Sequence, residues 1–536
     1  MARRPALTMW QTCWAMIRIL RSHGWPGLPR RRPAPRGQDL RLSPRPRPRS
    51  RRRCSHGRGW PPEARTMTAS LALTVLLIPV AAVLAIQNLV YVAQLVATVR
   101  QRMTEPLGVG TLRDLWALQS RQSPPVSIVA PAFNEELSIV DSVRALLSLN
   151  YPDFEVIIVN DGSRDRTLEV LIQTFDMVPR RRPVQALLAH QPITRVYRSV
   201  SHPALVVVDK VNGRKADAAN AGIAVAVNPL VCIIDADSLI DEDALLRASQ
   251  PFLSDGGAVV AVGGTVRLTN GCGIVAGQLQ TVNMPRGWIP RFQVLEYLRA
   301  FMVARVSASR WGMLMLISGA FGLFRRDALL AAGGFDHDSR GEDLELCVRL
   351  HRIGRERGQR PKVVFVPDAV CWTEAPFNRA GLRNQRTRWS QGGLEVLAKH
   401  RSMLFNPRYG RIGLVGLPLV LLETALVPAA ELLGYLLAPL LYLTGTDEGA
   451  LLVGMLFLHL LFGTSVSLAA VALEELQMRQ HERIGHVAVL IACCFLENFG
   501  YRQLNAWYRL KGVRAWWKGE TGWLAVERQG FAAARS

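Results

Sequence analysis

The sequence predicts an α/β protein with a doubly wound, mostly parallel sheet, joined to α-helical transmembrane segments. Between residues 120 and 393, short apolar runs that end in acidic residues alternate with helical patterns, which is typical of parallel strands with crossover helices. Two blocks, Met67–Val99 and Ile412–Leu473, are apolar and longer than the roughly 20 residues that a membrane helix needs. We therefore expect one sizeable globular domain on one side of a membrane.

The first 66 residues form an Arg/Pro-rich head. They contain 17 arginines and two acids, so most of the formal net charge of +23 lies here. With little to bury, 1–66 is expected to be disordered. We interpret Met67 as the natural start, with the head untranslated; an arm that binds nucleic acid is the alternative. Arg100 and Arg102 place the far end of the first span in the cytosol by the positive-inside rule, which disfavours moving 17 arginines across the membrane.

The remaining segments follow from the same patterns. We expect a transmembrane helix at 67–99, a cytosolic domain at 120–393, an interfacial segment at 394–411, two to three or more membrane helices at 412–500, and a basic tail at 501–536. The protein is then a multi-pass protein of the cell membrane. The basic tail prefers the cytosol and requires an even number of spans after the domain, whereas three apolar blocks are present there; this count stays open. The eight cysteines have no metal-type spacing and indicate buried thiols in a reducing compartment.

Four predicted strands in the domain end at polar residues. These stretches are Val126–Glu136, Phe154–Thr167, Ala204–Asp209 and Pro229–Ile240. In open parallel sheets, ligands bind outside the carboxyl ends of the strands. The regular placement of acids at these ends predicts a ligand site along one edge of the sheet.

Individual residues at this edge are candidates for binding a phosphorylated ligand. Asp235 and Asp237, at i and i+2, face the same way in an extended chain and suit Mg²⁺ or Mn²⁺, although acids at a strand end are often only solvated. Asp161 could accept hydrogen bonds from a base or ribose, or only shape an Asp-Gly turn. Lys215 opens a small-residue helix and suits a diphosphate, with an ordinary surface lysine as the alternative.

Two further segments carry chemistry. Glu342 and Asp343 begin an amphipathic helix, where acids usually pair with the helix dipole but can also act as a general base. Gln385, Arg388 and Trp389 lie at i, i+3 and i+4, on one face of a helix. Arginine binds a diphosphate with a planar fork, and tryptophan offers a flat surface to a sugar ring. An interfacial membrane anchor would explain the arginine and the tryptophan but not the amide.

Taken together, "PAFNEE", "NDGSRDRT", "GRKADAANAG", "DAD", "SGAFGLFRRD", "GED" and "QRTRW" resemble, in order, the motifs of inverting family-2 (GT-A) glycosyltransferases. The resemblance is strongest to membrane-embedded processive synthases of cellulose, chitin, hyaluronan and poly-N-acetylglucosamine. It implies that Asp343 is the catalytic base, that Asp161, Lys215, Asp235, Gln385 and Arg388 bind the nucleotide sugar, that Trp389 contacts the acceptor, and that Asp237 ligates Mg²⁺ or Mn²⁺.

The resemblance also implies a function. It predicts a hexosyltransferase that moves a sugar from a UDP-sugar to a growing β-linked polysaccharide with inversion, coupled to export through the bilayer, and with no nucleic-acid partner. A non-processive enzyme that glycosylates a lipid acceptor, like ceramide glucosyltransferases, is the alternative, and an inactive membrane scaffold is an alternative of another class. Glu423 and Glu431, within the second apolar block, either face a glycan path or pair inside the helix bundle. The sequence leaves the identity of the sugar open.

Overall fold

The computed structural model describes residues 62–104 and 122–520, apart from 186, 256, 276, 444–446 and 479–483, together with 116 and 522. The predicted disorder of the head lies outside these residues, except that 62–66 are helical. A long helix, α1 (Pro62–Thr104), comes first. Its stretch Leu77–Gln101 is apolar and long enough to cross a membrane, in the place that the sequence predicts.

The globular part is built on a ten-stranded mixed sheet. Its strands are β1 (Val126–Ala132), β2 (Phe154–Asp161), β3 (Met177–Pro179), β4 (Ile193–Ser199), β5 (Leu205–Lys210), β6 (Leu230–Ile234), β7 (Leu239–Ile240), β8 (Val259–Leu268), β11 (Phe321–Arg325) and β12 (Lys362–Thr373). Their spatial order is β3-β4-β5-β2-β1-β6-β11-β8-β12-β7, and a small hairpin, β9 (Gly273–Val275) and β10 (Gln278–Thr281), stands apart from them.

Seven strands of this sheet point the same way. Strands β5, β2, β1 and β6 pair in parallel. Strand β11 is antiparallel to both β6 and β8, so β8 regains their direction, and β12 runs parallel to β8. At the other end of the sheet, β4 is antiparallel to both β5 and β3, so β3 also has their direction. The carboxyl ends of all seven therefore lie along one side of the sheet, here called the carboxyl edge. The predicted fold class, a mostly parallel α/β sheet with additional membrane-type helices, is confirmed.

Helices cover the sheet between the strands. They are α2 (Ile139–Leu147), α3 (Thr167–Thr174), α4 (Arg214–Val225), α5 (Ala244–Ser254), α6 (Trp288–Leu298), α7 (Val306–Arg310), α8 (Arg326–Ala332), α9 (Glu342–Glu356) and α10 (Arg379–Lys399), with a π-helical segment, Arg299–Arg305, joining α6 to α7. Helix α10 and the 3-10 turns after it extend through most of the predicted interfacial segment 394–411.

The small residues of α4 have a packing reason. A Cβ on Gly222 would lie 2.2 Å from Cγ1 of Val129 in β1, so the helix backbone lies almost on the sheet. Strand β1 is buried on both faces, which accounts for its continuous apolar run. This close approach fixes the start of α4, and hence Lys215, at the carboxyl edge.

The C-terminal part is helical. After a stretch of π-helix and short α11 (Leu417–Leu421) come α12 (Val427–Leu443), α13 (Asp447–Met478), α14 (Ile484–Leu496) and α15 (Tyr501–Trp517). Ile412–Leu443 and Gly449–Leu476 are long and apolar enough to cross a membrane. Helix α14 has only 13 residues and is bent by 63° against α15.

Polar contacts join these helices to one another and to the domain. His459 in α13 bridges two helices, because its Nδ1 lies 3.0 Å from Asn88 Oδ1 in α1 and its Nε2 lies 2.8 Å from Glu431 Oε1 in α12. Arg267, the penultimate residue of β8, forms a 2.6 Å ion pair with Glu474 of α13, and both side chains are buried. The helices and the domain are therefore tied by buried charges, which are costly to separate.

Candidate active site

Asp343 lies in the first turn of α9 and faces the loop before β11. Its Oδ2 accepts a hydrogen bond of 3.3 Å from the backbone N–H of Gly319, and its Oδ1 accepts one of 2.8 Å from Leu344. The carboxylate is therefore held by two backbone donors at a helix N-terminus. A carboxylate placed in this way at a cleft can act as a general base.

Lys215, in the first turn of α4, reaches the same place. Its Nζ donates to the carbonyl oxygen of Gly319 at 3.1 Å and forms an ion pair with Asp235, the residue that follows β6. A Cβ on Gly319 would lie 3.1 Å from Lys215 Nζ and 3.7 Å from Asp343 Oδ2. Gly319 therefore separates the lysine from the aspartate with its backbone alone, and any side chain would intrude between them.

These residues line a cleft at the carboxyl edge. It encloses about 340 Å³ of space that includes open solvent, and its wall includes Lys215, Ser318, Gly319, Glu342 and Asp343. Ser318 and Gly319 begin the "SGAFGLFRRD" motif, so this motif forms part of the wall of the cleft. Sequence positions more than a hundred residues apart meet here because β6 and β11 are neighbours in the sheet.

Several charges act on one another in the cleft. Burial lowers the pKa of Lys215, but the carboxylates of Asp235, Glu342 and Asp343 outweigh it, so the net shift is upward and the lysine stays charged. Burial raises the pKa of Glu342 to about 7, with a further contribution from Asp343 and against the lowering influence of Lys215 and Arg388. A buried carboxyl with a raised pKa beside a charged lysine is typical of a functional site.

Asp161 does not line this cleft. Its carboxylate is buried, with Oδ1 2.6 Å from Lys210 Nζ, and it accepts hydrogen bonds from the backbone N–H groups of Gly213 and Arg214 at 2.9 and 2.8 Å. These contacts hold the loop before α4. The predicted uridine contact stays a prediction, and the geometry gives Asp161 a role in positioning Lys215.

Asp237 follows Asp235 by two residues at the carboxyl end of β6, with its side chain half-buried. Asp235 pairs with Lys215, and Asp237 is the second carboxylate at this strand end. Among the described residues, no group of three or more His, Cys, Asp or Glu side chains could hold a metal ion. A single carboxylate with phosphate oxygens of a substrate is a usual donor set for Mg²⁺, so the residues present fit a metal shared with a diphosphate.

The predicted QxxRW residues lie on α10. Gln385 is buried, and no hydrogen bond reaches its Oε1 within the described part of the chain. Trp389 is 45% exposed, with the Arg386 guanidinium 4.4 Å from its ring centroid. Arg388 is half-buried, and its charge is among those that lower the pKa of Glu342. The motif therefore stands within electrostatic reach of the cleft.

Two glycines bring α10 against the start of α9. A Cβ on Gly392 would lie 2.8 Å from the backbone nitrogen of Gly341, the residue just before Glu342 and Asp343. The side chain of Arg340 pairs with Glu395 of α10 beside this contact. The helix of the QxxRW motif and the helix of the GED motif therefore touch through their backbones.

Sequence reasoning missed one charged residue. Arg305, at the end of the π-helical segment, lies over the ring of Phe301 at 3.9 Å. Burial lowers its pKa to about 10, and the neighbouring charge of Asp343 acts in the opposite direction. A π-helical turn often marks a functional site, but nothing in the local sequence pattern distinguishes such a turn from an ordinary helix.

The comparison with known proteins agrees with this geometry. The family described as "Glycosyltransferase like family 2" matches residues 124–392. The chain belongs to this family. The resemblance read from the motifs is thereby confirmed at the level of the family, and the matched range contains every predicted site residue.

Curated relatives include poly-β-1,6-N-acetyl-D-glucosamine synthases. The one from Staphylococcus epidermidis strain ATCC 35984 is 31% identical over 281 residues, which are 52% of this chain and 57% of that protein. The one from Staphylococcus aureus strain COL is 31% identical over 275 residues, or 51% and 56%. The chain thus matches little more than half the length of these relatives.

A solved structure is also similar. It is a mannosyltransferase from Pyrobaculum calidifontis in complex with GDP-Man and Mn²⁺, with 19% identity, a TM-score of 0.49, and coverage of 83% of this chain and 100% of that one. A likeness of this size carries no argument about function.

Proposed function

We propose that this protein is a membrane glycosyltransferase that moves a sugar from a UDP-sugar onto a growing β-linked polysaccharide with inversion. One observation supports this proposal most. Asp343 and Lys215 share a cleft at the carboxyl edge, and the helix of Arg388 and Trp389 lies in backbone contact with the helix of Asp343. In this proposal, the base, the diphosphate cations and an aromatic surface for a sugar act together at this cleft.

In the proposed mechanism, Asp343 accepts the proton from an acceptor hydroxyl. That oxygen attacks the anomeric carbon from the face opposite the diphosphate, so the configuration inverts. Negative charge then develops on the leaving UDP, and the cations of Lys215 and Arg388 stabilise it. Asp235 keeps Lys215 oriented through their ion pair. The exposed ring of Trp389 contacts the acceptor end of the glycan.

Asp237 is the residue that would hold a divalent cation, either Mg²⁺ or Mn²⁺. When bound, the ion supplies positive charge beside the diphosphate and complements the two protein cations. The donor set supports an ion held jointly by protein and substrate rather than by a closed protein site.

The proposal includes a membrane arrangement. Ile412–Leu443 and Gly449–Leu476 would give two spans after the domain. The 13 residues of α14 are too few to span alone, and α14 with α15, bent by 63°, would form either one broken span or a re-entrant loop, of which we propose the loop. An even count returns the basic tail to the side of the catalytic domain, which we place in the cytosol of a cell whose plasma membrane carries the protein.

Two acidic residues in the membrane spans, Glu423 and Glu431, are relevant to export of the glycan. Glu431 is buried and paired with His459, which supports the interpretation that it stabilises the bundle. Glu423 has an exposed side chain on the Ile412–Leu443 span, which makes it the better candidate to face a glycan path. Coupling of transfer to export is part of the proposal.

The test uses membranes that contain the full chain and a panel of UDP-sugars with Mg²⁺ or Mn²⁺. We expect release of UDP with one donor and a polymeric product, and loss of both in a matched Asp343→Asn preparation. A single glycolipid product would instead support the non-processive alternative. Absence of UDP release with every donor would contradict both.

A further inference from the structure

Helix α15 has one inward and one outward face. Inward, a Cβ on Gly512 would lie 2.6 Å from the carbonyl oxygen of Thr387 in α10, so the two helices are in backbone contact. Asn505 and Tyr501 bond to Glu296, which also pairs with Arg386 of the QxxRW segment. A displacement of α15 would therefore also displace α10.

The outward face carries a stripe of one aromatic residue and three cations. Trp507, Lys511, Arg514 and Lys518 follow one another at spacings of four, three and four residues, which places them on one side of the helix. All four are exposed, Trp507 at 52%. Lys511 Nζ lies 5.6 Å from the Trp507 ring centroid. The sequence from 501 to 518 contains no acid that would neutralise the stripe.

The position of the stripe relates it to the bilayer. Arg509 of α15 donates to the carbonyl oxygen of Glu423, inside the Ile412–Leu443 span. A Cβ on Gly463, inside the Gly449–Leu476 span, would lie 2.5 Å from Arg502. The first half of α15 thus packs on membrane-type helices, and the exposed apolar residues Phe495, Leu496 and Phe499 precede it. The stripe begins at Trp507 and continues to the end of α15, so it follows these apolar residues along the chain.

We propose that Trp507, Lys511, Arg514 and Lys518 form a docking surface for anionic lipid headgroups at the membrane surface. Tryptophan prefers the headgroup level, and lysine and arginine extend their charged ends toward it. Anionic lipids attract such cations with roughly 1 kcal/mol each, a factor of about five in binding. Because the opposite face of α15 bears on α10, the lipid surface also holds the QxxRW helix in place.

The experiment places the full chain in nanodiscs that contain phosphatidylcholine and an equal mole fraction of brominated phosphatidylglycerol or brominated phosphatidylcholine. Subtracting the emission of a Trp507→Phe variant isolates Trp507. We expect the brominated anionic lipid to quench Trp507 about fivefold more effectively than the zwitterionic lipid, and high salt to reduce the difference. No sugar donor enters the experiment, so its failure and that of the proposed transfer reaction are separate.

Matched variants locate the effect. Lys511→Gln/Arg514→Gln/Lys518→Gln should abolish the preference. Arg180→Gln/Arg181→Gln/Arg195→Gln, which removes the same charge from exposed positions elsewhere in the domain, should retain it. A charge-conserving variant, Lys511→Arg/Arg514→Lys/Lys518→Arg, separates loss of charge from loss of folding. Equal quenching by both lipids, or a preference that survives the triple glutamine variant, would overturn the proposal.

Discussion

The two sides of helix α9 contain the same kinds of residue under opposite electrostatic conditions. On the cleft side, Glu342 and Asp343 share one lysine with Asp235, and the pKa of Glu342 lies at about 7 because burial raises it. On the other side, Glu345 is fully buried but is surrounded by positive partners. His400 Nε2 and Lys399 Nζ lie 3.1 Å from its Oε1, and Arg349 Nη2 lies 2.7 Å from Oε2.

For Glu345, burial alone would raise the pKa, but the hydrogen bond with His400 and the charges of Arg349 and Lys399 outweigh it and hold the pKa at about 2. Burial raises the pKa of both carboxyls, and the hydrogen bond and the cations around Glu345 reverse this effect. The carboxylate at the back of α9 is therefore paired with structural partners, whereas Glu342 at the front faces the cleft, where a ligand can change its surroundings.

The largest expected effect comes from a substitution on the cleft side of α9. Asp343→Asn should lower the transfer rate by roughly two to four decades, since it removes the proton acceptor. The thermal unfolding midpoint should fall only slightly, because the single amide oxygen can still accept one of the two backbone hydrogen bonds that the carboxylate accepts from Gly319 and Leu344. Turnover of the variant in membranes, compared with wild type under saturating donor, checks this. Near-normal turnover would remove Asp343 from the mechanism.

A change at the back should act on stability first. Glu345→Ala leaves Arg349 and Lys399 without their shared carboxylate and should cost about 3–5 kcal/mol of unfolding free energy. Denaturant unfolding in detergent measures it, with the exposed Glu169→Ala as control, where the loss should be small because the ion pair with Arg166 is exposed to solvent. A loss at Glu345 no larger than at Glu169 would contradict the assigned role of the cluster.

The backbone contact between α9 and α10 can be altered on its own. Gly392→Ala introduces a Cβ 2.8 Å from Gly341 nitrogen and should cost about 1–3 kcal/mol, with a lower transfer rate as the two motifs move apart. Gly454→Ala is the matched helical glycine, since its Cβ would meet nothing within 4 Å. If both variants behave alike, the contact does not position the motifs.

Sequence reasoning found most of this front side. Parallel strands place their carboxyl ends together, so Lys215 and Asp235 are expected at one edge of the sheet, and the resemblance to family-2 glycosyltransferases adds Asp343. The structure brings these three residues to one cleft. Glu345 could not be recognised in the same way. Its partners His400 and Lys399 follow the QxxRW segment by ten residues or more, and only the packing of two helices reveals that they meet.

Two further features lay beyond the sequence pattern for physical reasons. Asp161 stands at a strand end like the others, yet the tertiary position of Lys210 draws its carboxylate inward. The π-helical segment that carries Arg305 has an ordinary helical composition, so its extra residue per turn is decided by packing. Polarity patterns predict at which edge of the sheet a residue lies. They do not predict which of two neighbouring side chains it contacts.

The smallest expected effect is in the dependence of stability on pH, and it has opposite signs on the two sides of α9. Glu342 binds its proton more tightly in the folded state, so its contribution to stability falls as pH rises from about 4.5 to about 7. Glu345 binds its proton less tightly, so its contribution is complete above about 4.5 and is lost as pH falls toward 2. Glu342→Gln should remove the first dependence only, as seen in thermal midpoints across this range. An unchanged profile between pH 4.5 and 7 would show that Glu342 is not buried as described.

The bridge from His459 to Asn88 has a consequence for biosynthesis. The two residues are 371 positions apart in the chain. At about 5–20 residues per second, roughly 20–70 s of translation separate them. During that time, the first helix lies in the bilayer with Asn88 but without its partner, because His459 has not yet been synthesised. The helix bundle can therefore be completed only after the entire catalytic domain has been synthesised.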